Sequence, residues 1–101
     1  MNLSLKDWKS QLEGDKNGIV LDVRTPEEFN QGHIPNAILI DINDPQYFLE
    51  KINNLDKTQN YYVYCRSGVR SANACQLMNQ IGINMVKNLS GGILEWNGDI
   101  C

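Results

Sequence analysis

"NYYVYCRSGVRSANACQLMNQIG", residues 60–82, changes character twice within one short stretch. Residues 60–64 are a β-branched and aromatic run of strand type. Residues 65–69 place a cysteine, an arginine, a serine and a glycine where such a strand would end. From residue 70 to 81 the apolar residues Ala72, Cys75, Met78 and Ile81 recur at helical spacing, and Gly82 stops the pattern. The spacing predicts a strand, a tight loop and a helix.

The flanking sequence repeats that alternation. Ser4 precedes "LKDWKSQLE", where Leu5, Trp8 and Leu12 lie at helical spacing, and Ser4 with Asp7 forms a capping pattern. "GDKNG" then breaks the chain. "IVLDV", residues 19–23, is a near-continuous apolar run of the kind buried on both faces of a parallel sheet. Thr25, Pro26 and Glu28 supply a cap, a first-position proline and a capping-box acid for a short helix that ends at Gly32. A short strand follows, to Ile40, and then a helix capped by Asp44 with Pro45 at its first position. A strand around residues 84–88 and a short helix from about Ile93 to Asn97 complete the chain. Strands and helices in alternation imply an α/β fold: an open, mostly parallel sheet of four to five strands with helices on both faces. Residues 1–101 fit one domain.

A net charge of −3 argues against nucleic acid as a general partner, so any anion site must be made locally. No apolar run approaches membrane-spanning length, and the first residues lack the basic-then-apolar pattern of a secretion signal. Three cysteines at spacings that match no zinc motif, with one histidine, imply free thiols in a reducing, cytoplasmic setting. A monomer is the simplest state.

The loop carries the chemistry. In an open parallel sheet, ligands bind beyond the carboxyl ends of the strands, where Cys65 falls. The loop amides and the start of the next helix favour an anion there. Gly68 permits a backbone angle other residues resist. Arg66 and Arg70 add positive charge, and all of these favour the thiolate of Cys65. A lone cysteine ending a strand is more often a packing residue, but packing does not call for two arginines, a glycine and a helix start. Cys75, on an apolar helix face, reads as packing, and Cys101 as exposed.

Three segments of the chain resemble the single-domain rhodaneses, a family of sulfurtransferases. They are "LDVRTPEEFNQGHIPNAILI" at residues 21–40, "YVYCRSGVRS" at 62–71 and "LSGGILEW" at 89–96. The resemblance implies a rhodanese fold and a thiosulfate sulfurtransferase. Cys65 would attack the outer sulfur of a small anionic donor, thiosulfate or a polysulfide or persulfide. It would carry that sulfur as a persulfide and pass it to cyanide, a thiol or a protein cysteine. Arg66, Ser67, Gly68, Val69, Arg70 and Ser71 would form the substrate-binding loop. Arg66 and Arg70 would hold the donor's anionic oxygens, and two arginines would favour dianionic thiosulfate over mercaptopyruvate. No metal or organic cofactor is required by this chemistry. Asp22 and Arg24 would support the loop as a pair, Glu28 would serve the helix cap, and His33 would be a hydrogen-bonded turn residue. Trp96 would anchor the core.

Two other readings compete. Cysteine phosphatases and arsenate reductases use a related loop, but with five residues between cysteine and arginine, enough to wrap a tetrahedral oxyanion; Arg66, Ser67, Gly68 and Val69 make four here. A non-catalytic binding or regulatory module on the same fold is the other, since fold alone does not license activity.

Overall fold

The computed structural model describes residues 1–101. Its elements are β1 (Asn2–Leu3), α1 (Leu5–Glu13), β2 (Ile19–Asp22), α2 (Pro26–Gln31), β3 (Ile38–Leu39), α3 (Pro45–Asn53), β4 (Tyr61–Tyr64), α4 (Val69–Gln80), β5 (Val86–Leu89) and a 3-10 turn, Ile93–Glu95. The five strands form one sheet in the order β1-β5-β4-β2-β3, and every pairing is parallel.

The helix starts follow the expected chemistry. Ser4 Oγ accepts from the Asp7 amide, and Asp44 accepts from the Tyr47 amide. Thr25 and Glu28 form a reciprocal capping box with Pro26 at the first helical position.

Period-two alternation along β4 divides the core. Tyr61, Val63 and Cys65 face one side, where they pack with Phe48 and Ile52 of α3 and with Ala74, Cys75 and Met78 of α4. Tyr62 and Tyr64 face the other side, against Trp8 of α1. Trp8 is fully buried, packs edge-on against both tyrosines and against Trp96, and donates from Nε1 to the Lys87 carbonyl at 3.0 Å.

Several boundaries differ from the sequence expectation. The two-residue edge strand β1 was not expected; it exists only through its pairing with β5, which a local pattern does not reveal. The second strand shrinks to Ile38–Leu39 and the last helix to a single 3-10 turn. On α4 the buried face is Ser71, Ala74, Cys75 and Met78, turned from the expected stripe so that Ala72 and Ile81 are only half-buried. The rotation brings the polar Ser71 inward, beneath the cysteine loop.

Candidate active site

The strand order creates a topological switch point. The chain leaves β2 toward β3 on one side and leaves β4 toward β5 on the other, so the carboxyl ends of β2 and β4 splay their following loops apart. Asp22 pairs in register with Tyr64 at that edge, and Cys65 is the next residue.

Cys65 is 1 % exposed. Its Sγ accepts from the Gly68 amide at 3.1 Å and from the Ser71 hydroxyl at 3.3 Å. Burial pushes the thiol up and is the largest single influence. The Ser71 hydroxyl and the amides of Ser71, Gly68 and Ser67 together outweigh it and hold the thiol below its ordinary value. The strongest donors are thus hydroxyl and amide groups rather than the two arginines. Cys75 has no such donors, and burial pushes it up to about 11. Cys101 is exposed.

Two glycines fix the loop. Gly68 has φ 101° and caps α4, and a side chain there would strike the Ser90 carbonyl. Gly92 has φ 65°, and a side chain there would strike the Arg66 carbonyl. The Ile93 amide donates to the Cys65 carbonyl at 2.9 Å, and the Leu94 amide to that of Arg66 at 3.2 Å. The segment after β5 therefore clamps the cysteine loop from behind.

Asn88 of β5 adds to the clamp. Its Nδ2 donates to the Gly68 carbonyl at 3.2 Å and to Asn2 Oδ1 at 2.9 Å. Its own Oδ1 is buried without a hydrogen-bond partner. Asn88 was not singled out from the sequence. The signal was a polar residue inside an expected strand, readable only once that strand is known to lie beside the loop.

Asp22 and Arg24 pair as expected. Arg24 Nη2 lies 2.7 Å from Asp22 Oδ2, and Nε 2.9 Å from Oδ1. The Tyr64 hydroxyl donates to the same carboxylate at 2.6 Å and accepts from the Ile34 amide at 3.1 Å. Arg24 also donates to the Gly32 carbonyl at 2.7 Å. This buried network welds the β2 end to the β4 end; Tyr64 is the member that sequence reasoning left out. His33 is hydrogen-bonded as expected, with Nδ1 3.1 Å from the Phe29 carbonyl and its ring stacked on Phe29, but it does not lie in a turn: its backbone pairs with that of Cys101. Trp96 is half-buried, its Nε1 donating to the Asp99 carbonyl at 3.0 Å.

The two loop arginines have different surroundings. Arg66 is exposed and enters neither of the chain's ion pairs. Arg70 lies against Glu28, with Nη1 to Oε1 at 2.7 Å and Nη2 to Oε2 at 3.0 Å. Glu28 thus serves both the α2 cap and Arg70, and the arginine beside it holds its carboxyl down to about 2. Ser67 and Val69 are exposed on the rim, and Ser71 is buried.

The family model for the rhodanese-like domain matches residues 4–99. The chain belongs to the rhodanese-like sulfurtransferase family. A sulfurtransferase of Allochromatium vinosum is 36% identical over 87 residues, spanning 85% of this chain and 78% of the relative. YtwF of Bacillus subtilis, provisionally named a sulfurtransferase, is 38% identical over 97 residues, spanning 96% of this chain and 90% of its own. The crystal structure of a rhodanese-like domain protein from Staphylococcus aureus superposes with a TM-score of 0.82 at 33% identity, covering 97% of this chain and 92% of the other. The family's five-stranded parallel sheet is the one seen here. No helix is long and apolar enough to cross a membrane.

Proposed function

We propose that this chain moves sulfane sulfur from thiosulfate, or from a polysulfide or persulfide donor, to cyanide or a thiol acceptor through a persulfide on Cys65. The observation that carries this reading is the sulfur of Cys65, held between the Gly68 amide and the Ser71 hydroxyl at the switch point of the sheet. A thiolate there is a ready nucleophile.

In the first step the Cys65 thiolate attacks the outer sulfur of thiosulfate. A sulfur–sulfur bond forms, the donor's sulfur–sulfur bond breaks, and sulfite leaves with the bonding electron pair. In the second step cyanide attacks the outer sulfur of the persulfide, thiocyanate leaves, and the thiolate returns. Neither step consumes a proton or an external electron. The amides that stabilise the thiolate serve the persulfide anion by the same geometry. Exposed Arg66 is the cation available to a donor's oxygens. In a cell, a thiol or protein cysteine takes the place of cyanide.

The test is an intact mass of the reduced protein after exposure to thiosulfate and removal of excess donor, beside Cys65→Ser. The expected result is a gain of one sulfur on the wild type alone, discharged by cyanide as thiocyanate. No gain with thiosulfate or polysulfide would overturn the reading and favour a non-catalytic module.

A further inference from the structure

Of the two cations the loop supplies, Arg66 enters no ion pair and Arg70 is paired with a carboxylate. Arg70 lies in the first turn of α4 with Ser71, whose hydroxyl touches the Cys65 sulfur, and the Cys65 charge is among those that stabilise its guanidinium, so the two are within electrostatic reach. Both of its terminal nitrogens are engaged by the two oxygens of Glu28. Glu28 is fixed in turn: its Oε1 accepts from the Thr25 amide at 3.2 Å and from the Thr25 hydroxyl at 3.1 Å. The pair is about a quarter exposed, with side-chain accessibilities of 28% and 26%, so a dissolved anion can approach it.

We infer that Glu28 is a specificity-determining residue which, by neutralising Arg70, turns the site away from dianionic donors and toward singly charged ones. The inference rests on the sulfurtransfer reading. A carboxylate within hydrogen-bonding distance of the site's second cation repels a dianion about twice as strongly as a monoanion at equal distance. It also occupies the fork that would otherwise bind sulfonate oxygens in bidentate fashion. The carboxyl is held near 2, so it stays charged across the pH range of any practical assay. The sequence expectation that both arginines favour thiosulfate is thereby altered: the cation count is two, but one is spoken for.

The test compares thiosulfate, a dianion, with benzenethiosulfonate, a monoanion that also offers a terminal sulfane sulfur. Cyanide is the acceptor, and the proteins are wild type, Glu28→Gln and Thr25→Ala. Glutamine keeps the capping-box acceptor while removing the charge. The ratio of kcat/KM for thiosulfate to that for benzenethiosulfonate is expected to rise about three- to tenfold in Glu28→Gln, chiefly through KM. Thr25→Ala, which loosens the cap but leaves the ion pair's charges, should keep the wild-type ratio. An unchanged or lower ratio in Glu28→Gln overturns the inference, as does an equal rise in Thr25→Ala, which would make the placement of α2 the cause. In those cases Cys65 still turns over and the sulfurtransfer reading stands. If the wild type accepts sulfur from neither donor, that reading falls and the inference with it.

Discussion

The hydroxyl of Ser71 lies 3.3 Å from the sulfur of Cys65, although Ser71 sits in the first turn of α4 and the cysteine ends β4. Because α4 turns its Ser71, Ala74, Cys75 and Met78 face inward, a helix that packs the core also delivers a hydrogen bond to the candidate nucleophile.

Ser71→Ala should raise the Cys65 thiol. The folded-state thiol lies below its ordinary value, so the thiolate forms as pH rises through that lowered midpoint. A hydrogen bond to a charged group contributes roughly 1.5 to 3 kcal/mol, and about 1.4 kcal/mol moves a midpoint by one pH unit. The variant's midpoint for alkylation by iodoacetamide should therefore rise by about one unit or more, with the rate near neutral pH down roughly tenfold. An unchanged pH profile would show that the amides alone hold the thiolate.

The two ion pairs should differ in what their removal costs. Asp22 and Arg24 are buried, with the carboxylate fully so, and Asp22 also accepts from Tyr64. Asp22→Asn leaves the Arg24 charge without its counterion, at about 3–5 kcal/mol. Against a total stability of roughly 5–15 kcal/mol, that is a large fraction. Glu28→Gln, at a bidentate pair a quarter exposed, keeps a hydrogen-bonding side chain and should cost less, about 1–2 kcal/mol. Urea unfolding followed by tryptophan fluorescence measures both. Equal losses would contradict the division into one structural pair and one functional pair.

Gly92→Ala tests the clamp behind the loop. The residue has φ 65°, and an added Cβ meets the Arg66 carbonyl. The backbone must move, at a cost of about 1–3 kcal/mol. Because Ile93 and Leu94 bond the carbonyls of Cys65 and Arg66, the displacement should reach the sulfur's donors. Thermal unfolding should shift down and cysteine alkylation at neutral pH should slow together. A melting shift with unaltered alkylation would make the turn purely structural.

Strand, loop and helix over residues 60–82 are legible because each is encoded locally: β-branched and aromatic residues, then Cys65 and Gly68, then helical spacing. The caps at Ser4, Thr25 and Asp44 are legible for the same reason. Arg70 is the counterexample. Its partner Glu28 lies 42 residues away, and the local code assigns Glu28 wholly to a helix cap, so the sequence presents Arg70 as free. Only the adjacency of the β2 and β4 ends brings the two together. The edge strand β1 is hidden for the same reason, since two residues carry no period and acquire their strand geometry from β5.

Asn88 offers the sharpest test of whether the loop is held as a unit. Its Nδ2 faces two acceptors, the Gly68 carbonyl and Asn2 Oδ1, so turning the amide over would set oxygen against oxygen at both. By holding the carbonyl of Gly68, Asn88 acts as a positioning residue for the amide of that same glycine, which donates to Cys65 Sγ at 3.1 Å. Asn88→Ala removes the buried donor and also the unpartnered Oδ1, so the loss in stability should stay within about 1–3 kcal/mol. The loss specific to positioning is a higher pH midpoint for Cys65 alkylation and a lower kcat at unchanged donor KM. Asn88→Asp would set a carboxylate against the two acceptors and should be worse on every measure. If Asn88→Ala lowers the melting temperature yet keeps the wild-type pH profile, Gly68 is held well enough by its place in the α4 cap, and Asn88 serves only the packing of β5.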